Sequence, residues 1–484
     1  MQLPFTIADD TPSRAKLRRA ARRPWVWIAV IVVIAGIAVT VAAYVQFRRT
    51  EAVGEATLRV TSVPDGAAVE VDDRSRGRTP TELRLAAGDH QVTLHRDGYA
   101  DAIRSVSLAY AGEANLHADL WLWTPEVQQL RPTFPGATIT GATFVADGRI
   151  ALSVVLPPDD ERQTWMLDEN GGMRRLGPTE ARGALAVAPD GGRIAYVARG
   201  QGDDTNTSGV RPDEVWVAPA ERERGARSYV LTTEMRDERL VDLSWAPDGQ
   251  HLFLVTRYQL VGGGYRTRLL WLDAARGEIE KLANIPSEVV PGSYSWSPTG
   301  DHVSFLAQSG QTTSLCLVRT DGSELRYLTD LYQDDSSPLA FPPVAWSADG
   351  SRMLYAAPTQ NQGANQSGWL WGAQSAPALF EVQVSRPQEQ RVGTAEGQSP
   401  SWREDGSIVM LARPKLGGPL ALRSVEADGS IRDLGDLPFK AGPTYAARWD
   451  VAHAQAIVAL RGAASTGANK PEYWLVRYRP EAGR

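Results

Sequence analysis

Residues 244–256 read SWAPDGQHLFLVT, and close variants return as SWSPTGDHVSFLA at 295–307 and AWSADGSRMLYAA at 345–357. In the order Pro-Asp-Gly, proline pre-sets the first central dihedral of a type I turn. Aspartate suits the second, and glycine takes the left-handed position that follows. The result is a tight hairpin with a bulge. The run after each turn (HLFLV, HVSFL, RMLYAA) is apolar without alternation, which is how a strand buried on both faces reads.

The phrase can be aligned along much of the chain. Its copies are Phe144–Gly148, Val187–Gly191, Trp245–Gly249, Trp296–Gly300, Trp346–Gly350 and Trp402–Gly406, with a degenerate seventh at Trp449–His453. Their last positions are 43, 58, 51, 50, 56 and 47 residues apart. An all-β period of this size signals a β-propeller, here of six to seven blades. In the last copy His453 is expected at the left-handed position, where histidine is among the few enriched non-glycine residues. The recurrent tryptophan is expected between blades, burying roughly 200 Å² each time. That would account for tryptophan (15) outnumbering tyrosine (14) and phenylalanine (9).

A second strand follows in each unit, for example RLLWLD at 268–273 and SLCLVR at 314–319, and a third closes most units, as in LRYLTD at 325–330. The last unit lacks this closing strand. The segment PEVQQLR at 125–131 is expected to supply it, sealing the ring and removing an open edge. The repeat resembles the TolB-type β-propeller repeat over 123–484, a resemblance that implies six blades. The same repeat occurs in prolyl-oligopeptidase-like enzymes, which add an α/β-hydrolase domain. No GxSxG elbow is present, and no such domain is expected after the last repeat.

Residues 55–122 alternate with period two, as in Leu58, Val60 and Ser62, then Val69 and Val71, then Leu83 and Leu85. Turn signals at Pro64-Asp65-Gly66, Asp72-Asp73, Thr79-Pro80 and Asp97-Gly98 separate the runs. Short, evenly spaced strands of this kind make a small antiparallel β-sandwich. The residues Ser62-Val63-Pro64-Asp65-Gly66-Ala67, Gly77-Arg78-Thr79-Pro80, Gly88-Asp89-His90 and Gly98-Tyr99 resemble the PEGA domain. That resemblance implies binding or spacing outside a bacterial membrane, not catalysis.

Residues 25–46, WVWIAVIVVIAGIAVTVAAYVQ, hold no charge, and about 20 such residues span a bilayer as a helix. Trp25 and Trp27 at one end, Tyr44 and Phe47 at the other, suit the interfaces. Six basic residues precede the run and two follow it, so the tail 1–24 is expected in the cytoplasm and residues 50–484 outside. A cleaved signal peptide would have a shorter apolar region, roughly 7–15 residues, and a better cleavage site than VAAYV. Residues 1–49 carry net +6, which leaves −12 for residues 50–484 against −6 for the whole chain. An acidic ectodomain is a poor partner for nucleic acid. The single cysteine, Cys316, excludes an intrachain disulfide and thiolate metal clusters.

Candidate chemistry is sparse, and no cofactor is expected. The six histidines, His90, His95, His117, His251, His302 and His453, form no HExxH. His90 and His95 lie on or beside one strand, where a zinc pair lacks a third ligand and a solvent-facing role is favoured. His251 and His302 share one position after the turn, which favours a repeated structural role. Gly262-Gly263-Gly264 reads as the tip of a long hairpin, not a phosphate cradle. Acidic clusters at Asp159-Asp160-Glu161, Asp203-Asp204 and Asp334-Asp335 match no calcium-loop spacing and read as solvated loop tips. The longest insertions, 199–213, 257–267 and 357–376, all follow the buried strand and are expected on one rim. In the last, Trp369 and Trp371 are the candidate ligand contacts, able to stack on sugar rings, although packing on their own blade is favoured. The reading that follows is a non-enzymatic, membrane-anchored envelope protein whose propeller binds a protein or glycan partner. The alternatives are a hydrolase or lyase of glycans or peptides with its site in the central channel, and a sensory ectodomain with a partner in the membrane.

Overall fold

In the computed structural model, residues 55–479 are described apart from short connections, the longest being 200–212, 232–237, 334–343, 358–376 and 462–469. The described chain is all β. Among the described residues no helix is long and apolar enough to cross a membrane, and the apolar run 25–46 lies outside them. Two compact units are distinguished: Met1–Thr93 with Ile103–His117, and Leu94–Ala102 with Ala118–Arg484.

The small unit has two sheets. Glu55–Val63 lies between Thr81–Ala86 and Glu113–Asp119 in one, and Ala68–Val71 between Arg74–Arg78 and Gly88–His95 in the other. Period two holds as expected. Leu58, Val60, Val69, Val71 and Val92 are fully buried while their neighbours face out. The resembling residues have a physical task here. Thr79 Oγ1 accepts from the N–H of Gly66 and of Ala67, both at 3.1 Å. Its own proton then goes to buried Ser62 Oγ at 2.6 Å, and Ser62 donates to Pro64 O at 2.8 Å. One buried hydroxyl chain thus locks the Pro-Asp-Gly turn to the Thr-Pro corner, as buried polar groups require.

On the same unit, His90 Nδ1 meets Asp72 Oδ2 at 2.6 Å and its Nε2 meets Ala86 O at 2.7 Å. Both ring nitrogens face acceptors, so the doubly protonated ring satisfies both. The Asp72 hydrogen bond holds the imidazole above its usual range, and the same bond holds the Asp72 carboxyl below its own. The signs differ. Asp72 contributes stability that is lost on acidification below the usual carboxylate range. His90 contributes stability that is full below about pH 6.5 and lost as pH rises through its raised value. The unit should be most stable between about pH 4 and 6.5, by under about 1 kcal/mol because Asp72 is half exposed. His90→Gln should flatten the decline in its unfolding midpoint between pH 6 and 8. An unchanged pH profile would show that the pair contributes nothing.

The second unit contains seven antiparallel meanders in chain order. The third runs Arg239–Trp245, His251–Gln259, Tyr265–Asp273, Ile279–Ile285. The fourth has a broken first strand, Glu288–Val289 and Ser295–Trp296, both paired with His302–Ser309. The seventh takes its outer strand from the other end of the unit. Glu126–Leu130 pairs antiparallel with Pro471–Arg477, Leu130 opposite Tyr473 and Val127 opposite Val476. The expected closure is present. The blade number, open between six and seven from sequence, is seven among the described strands.

Packing explains the repeat. The second strands are buried on both faces, as in Phe253, Phe305, Leu354 and Met410. The apolar clusters lie between consecutive blades, for example Leu243, Trp245, Leu252 and Leu254 against Val215 and Val217. The last of them joins Ile457 and Leu475 of blade seven to Ile150 and Leu152 of blade one. That interface completes the ring. The motif glycines 148, 191, 249, 300, 350 and 406 all have φ between 63° and 79°, the left-handed region as expected. The seventh copy differs from expectation. There the left-handed residue is Ala454, with φ 50°, because the turn closes from Val451 O to Ala454 N. His453 instead turns its Nδ1 onto Asp450 Oδ2 at 2.7 Å. The long hairpin expected around Gly262-Gly263-Gly264 is present, with Arg257 opposite Thr267, Tyr258 opposite Arg266 and Gln259 opposite Tyr265.

Candidate functional site

The site candidate is the axis of the ring, lined by the first strand of each blade. The residue before each motif copy occupies one layer there: Thr143, Ala186, Ser244, Ser295, Ala345, Ser401 and Arg448. Its side chain faces the following blade. Ser244 Oγ accepts from Trp296 Nε1 at 3.0 Å, Ser295 Oγ donates to Val344 O at 2.7 Å, and Arg448 Nη1 donates to Thr143 Oγ1.

The aromatic itself reaches back. Trp245 Nε1 donates to Ala186 O at 3.2 Å, Trp346 Nε1 to Ser295 O at 3.2 Å, and Trp449 Nε1 to Ser399 O at 2.5 Å. Each of these indoles latches its blade to the inner strand of the one before, whereas Trp402 Nε1 is enclosed without a partner. The first residue of the second strand then covers the next blade's indole. Arg193 lies 5.1 Å over Trp245 and Arg352 4.6 Å over Trp402. His302 sits 6.3 Å from Trp346. His251 stacks at 4.9 Å on Trp271, which lies 5.7 Å from Trp296. The two histidines fill a slot that arginine fills elsewhere, so their shared position has a packing cause.

The turn aspartates are committed as well. Asp248 Oδ1 accepts from the N–H of Gln250 and His251, and its Oδ2 meets His251 Nδ1 at 2.6 Å. The carboxyl of Asp349 is held down to about 2 by the Ser347 hydroxyl and by Ser351. In blade four the acid moves to Asp301, bound by Ser297 and Thr299. His302 Nδ1 lies 3.1 Å from it.

Three ionisable groups near the axis stand out and were not singled out from sequence. Asp242, on the inner strand of blade three, accepts from Tyr294 OH and Gly292 N, both at 2.9 Å, and from Leu243 N at 3.0 Å. Burial still pushes its carboxyl up, and Tyr294 is pushed well above its usual value by burial and by Asp242. The pair ties blade three to the broken first strand of blade four. Arg448 is the third. Burial, with no charged partner, lowers its guanidinium to about 10, and its Nε is enclosed without a hydrogen-bond partner. Aligning the residue before each motif tryptophan would have exposed it: Ser, Ser, Ala and Ser precede Arg448.

The remaining candidates are dispersed. Trp369 and Trp371 lie outside the described residues, as do Asp203-Asp204, Asp334-Asp335 and Asp159-Asp160. His90 and His95 share the strand Gly88–His95, but each bonds its own aspartate, Asp72 and Asp101. His117 Nδ1 bonds Thr61 Oγ1 at 2.9 Å. No group of three or more His, Cys, Asp or Glu suited to a metal occurs among the described residues. Burial pushes the Cys316 thiol up to about 12, which leaves it un-ionised near neutrality.

Among solved structures, the chain is similar to an oligogalacturonate lyase from Vibrio parahaemolyticus (12% identity, 75% of this chain, 98% of that one, TM-score 0.44). It is also similar to the β-propeller domain of the Trilobed protease from Pyrococcus furiosus (13%, 72% and 98%, TM-score 0.40). A third is a puromycin-hydrolysing peptidase from Mycobacterium tuberculosis (16%, 72% and 54%, TM-score 0.44). No curated protein sequence matches the chain. One family model matches, that of the PEGA domain, over residues 55–120.

Proposed function

We propose that the chain is a non-enzymatic, membrane-anchored envelope protein. Residues 25–46 span the bilayer, the tail 1–24 is cytoplasmic, and the propeller binds a protein or glycan partner outside. The observation that carries this reading is where the reactive side chains are spent. Within the propeller, His251 and His453 bond an aspartate of their own turn, and His302 stands at ion-pair distance from one. The turn aspartates in turn hold main-chain N–H groups or serines. Chemistry-bearing residues placed by symmetry serve the blades, and the match of residues 55–120 to the PEGA domain supports spacing and binding. Crosslinking of the full-length protein in its own envelope, followed by capture, should retrieve a defined component. Recovery of nothing beyond an unrelated anchored control would count decisively against the reading.

A second reading, a hydrolase or lyase acting in the channel, is favoured by Asp242, a carboxyl that burial raises above its usual range and that accepts from the Tyr294 hydroxyl, a pairing suited to proton transfer. It requires turnover of a glycan or peptide that Asp242→Asn abolishes. Turnover unaffected by that change would remove its basis.

A further inference from the structure

We propose that Arg448 anchors an anion subsite at the propeller axis and that it takes a carboxylate group of the bound partner. This deepens the binding reading above and rests on it. Of the seven residues in the inner layer, six are small and uncharged, and Arg448 carries the only charge. Arg448 spends Nη1 on the Thr143 hydroxyl. Its Nε is enclosed without a partner, and none of the ion pairs among the described residues includes it. The residue as a whole is only partly buried.

An enclosed cation without a counter-charge is costly to fold around. The motif does not need it, because serine or alanine precedes the tryptophan in the four other copies that carry one. An incoming anion would supply the missing counter-charge. A carboxylate fits better than a phosphate. It is planar, matches two guanidinium donors side by side, and its single charge balances one arginine. A phosphate dianion would leave a charge uncompensated in an enclosed layer that offers hydroxyls but no second cation.

The test uses the full-length protein in detergent, with titration calorimetry and thermal unfolding. The probes are acetate, glucuronate against glucose, a short peptide with a free against an amidated C-terminus, and inorganic phosphate. Wild type should bind at least one carboxylate probe saturably. Arg448→Lys should bind it at least tenfold more weakly, and Arg448→Met not measurably. Without ligand, both variants should unfold at or above the wild-type midpoint, because a poorly compensated charge is removed or made easier to neutralise. Binding of the free but not the amidated peptide assigns a protein partner, and binding of glucuronate but not glucose an acidic glycan. Three results would each overturn the proposal: no carboxylate binding by wild type, equal binding by Arg448→Met, or phosphate bound as tightly as carboxylate. A partner captured equally well by Arg448→Met would sink the subsite and leave the binding reading standing. Loss of capture with Arg448-dependent carboxylate binding intact would do the reverse.

Discussion

Trp245→Ala is expected to lower the stability of the propeller by about 3–5 kcal/mol, the range for truncating a large buried aromatic. Trp245 is 4% exposed. It sits in the apolar cluster between blades two and three, under the Arg193 guanidinium, with its indole N–H on Ala186 O. Removing it empties a volume walled by two sheets that are each fixed by their other neighbours, so collapse cannot fill it. The loss should appear as a lower urea midpoint with little change in slope. A comparison separates volume from the latch. Trp245→Phe keeps most of the ring and loses the indole's hydrogen bond to Ala186 O, which should cost about 1 kcal/mol. At Trp402 the indole nitrogen is enclosed with no partner, so Trp402→Phe should be neutral or slightly stabilising. Equal losses at the two sites would show that the indole N–H does not contribute, and the tryptophans would then act by bulk alone.

That contrast also marks how far the sequence could be read. The turns, the doubly buried second strands, the interblade tryptophans and the borrowed outer strand 125–131 all leave local signatures. Each is set by residues within a dozen positions of one another and repeated with one period. What failed to show has a different physics. The glycines 262–264 announce a hairpin but not how far its strands pair, and Arg257 packed on Tyr265, at 4.8 Å, accompanies pairing out to Gln259. Asp242 and Tyr294 lie 52 residues apart and meet only because blades three and four are adjacent. The left-handed position fell on Ala454 instead of His453 because the turn closes one residue later, from Val451 O to Ala454 N. Arg448 was legible in principle, as the one departure from a repeated small residue. Symmetry directs attention to what recurs, and a single exception is where function is most easily overlooked.

The second large effect is expected at Glu238, where removing one charge should hurt and removing two should not. Glu238 and Arg268 are 3% and 4% exposed, with Nη1 to Oε2 at 3.5 Å. Thr256 donates to the other carboxylate oxygen at 2.5 Å, and the Tyr258 ring lies 5.5 Å from the guanidinium. Glu238→Ala leaves that guanidinium buried without its carboxylate and should cost about 3–5 kcal/mol. Arg268→Leu strands the carboxylate and should cost a similar amount. The double variant Glu238→Met/Arg268→Leu fills the space with apolar side chains and removes both desolvation penalties. It should return to within about 1 kcal/mol of wild type, or exceed it. Denaturant unfolding of the four proteins closes the cycle, and single-variant losses that simply add in the double would refute the argument. The pair then has a reason to exist other than stability. Glu238 stands at the entry to the inner strand of blade three and Arg268 on that blade's third strand. A slip of one residue at the entry would bury each charge without its partner. In a ring of seven similar blades, alternative registers differ little in apolar packing. A charge pair that is nearly neutral in the correct register and costs several kcal/mol in a wrong one therefore sets the register where blade two hands over to blade three.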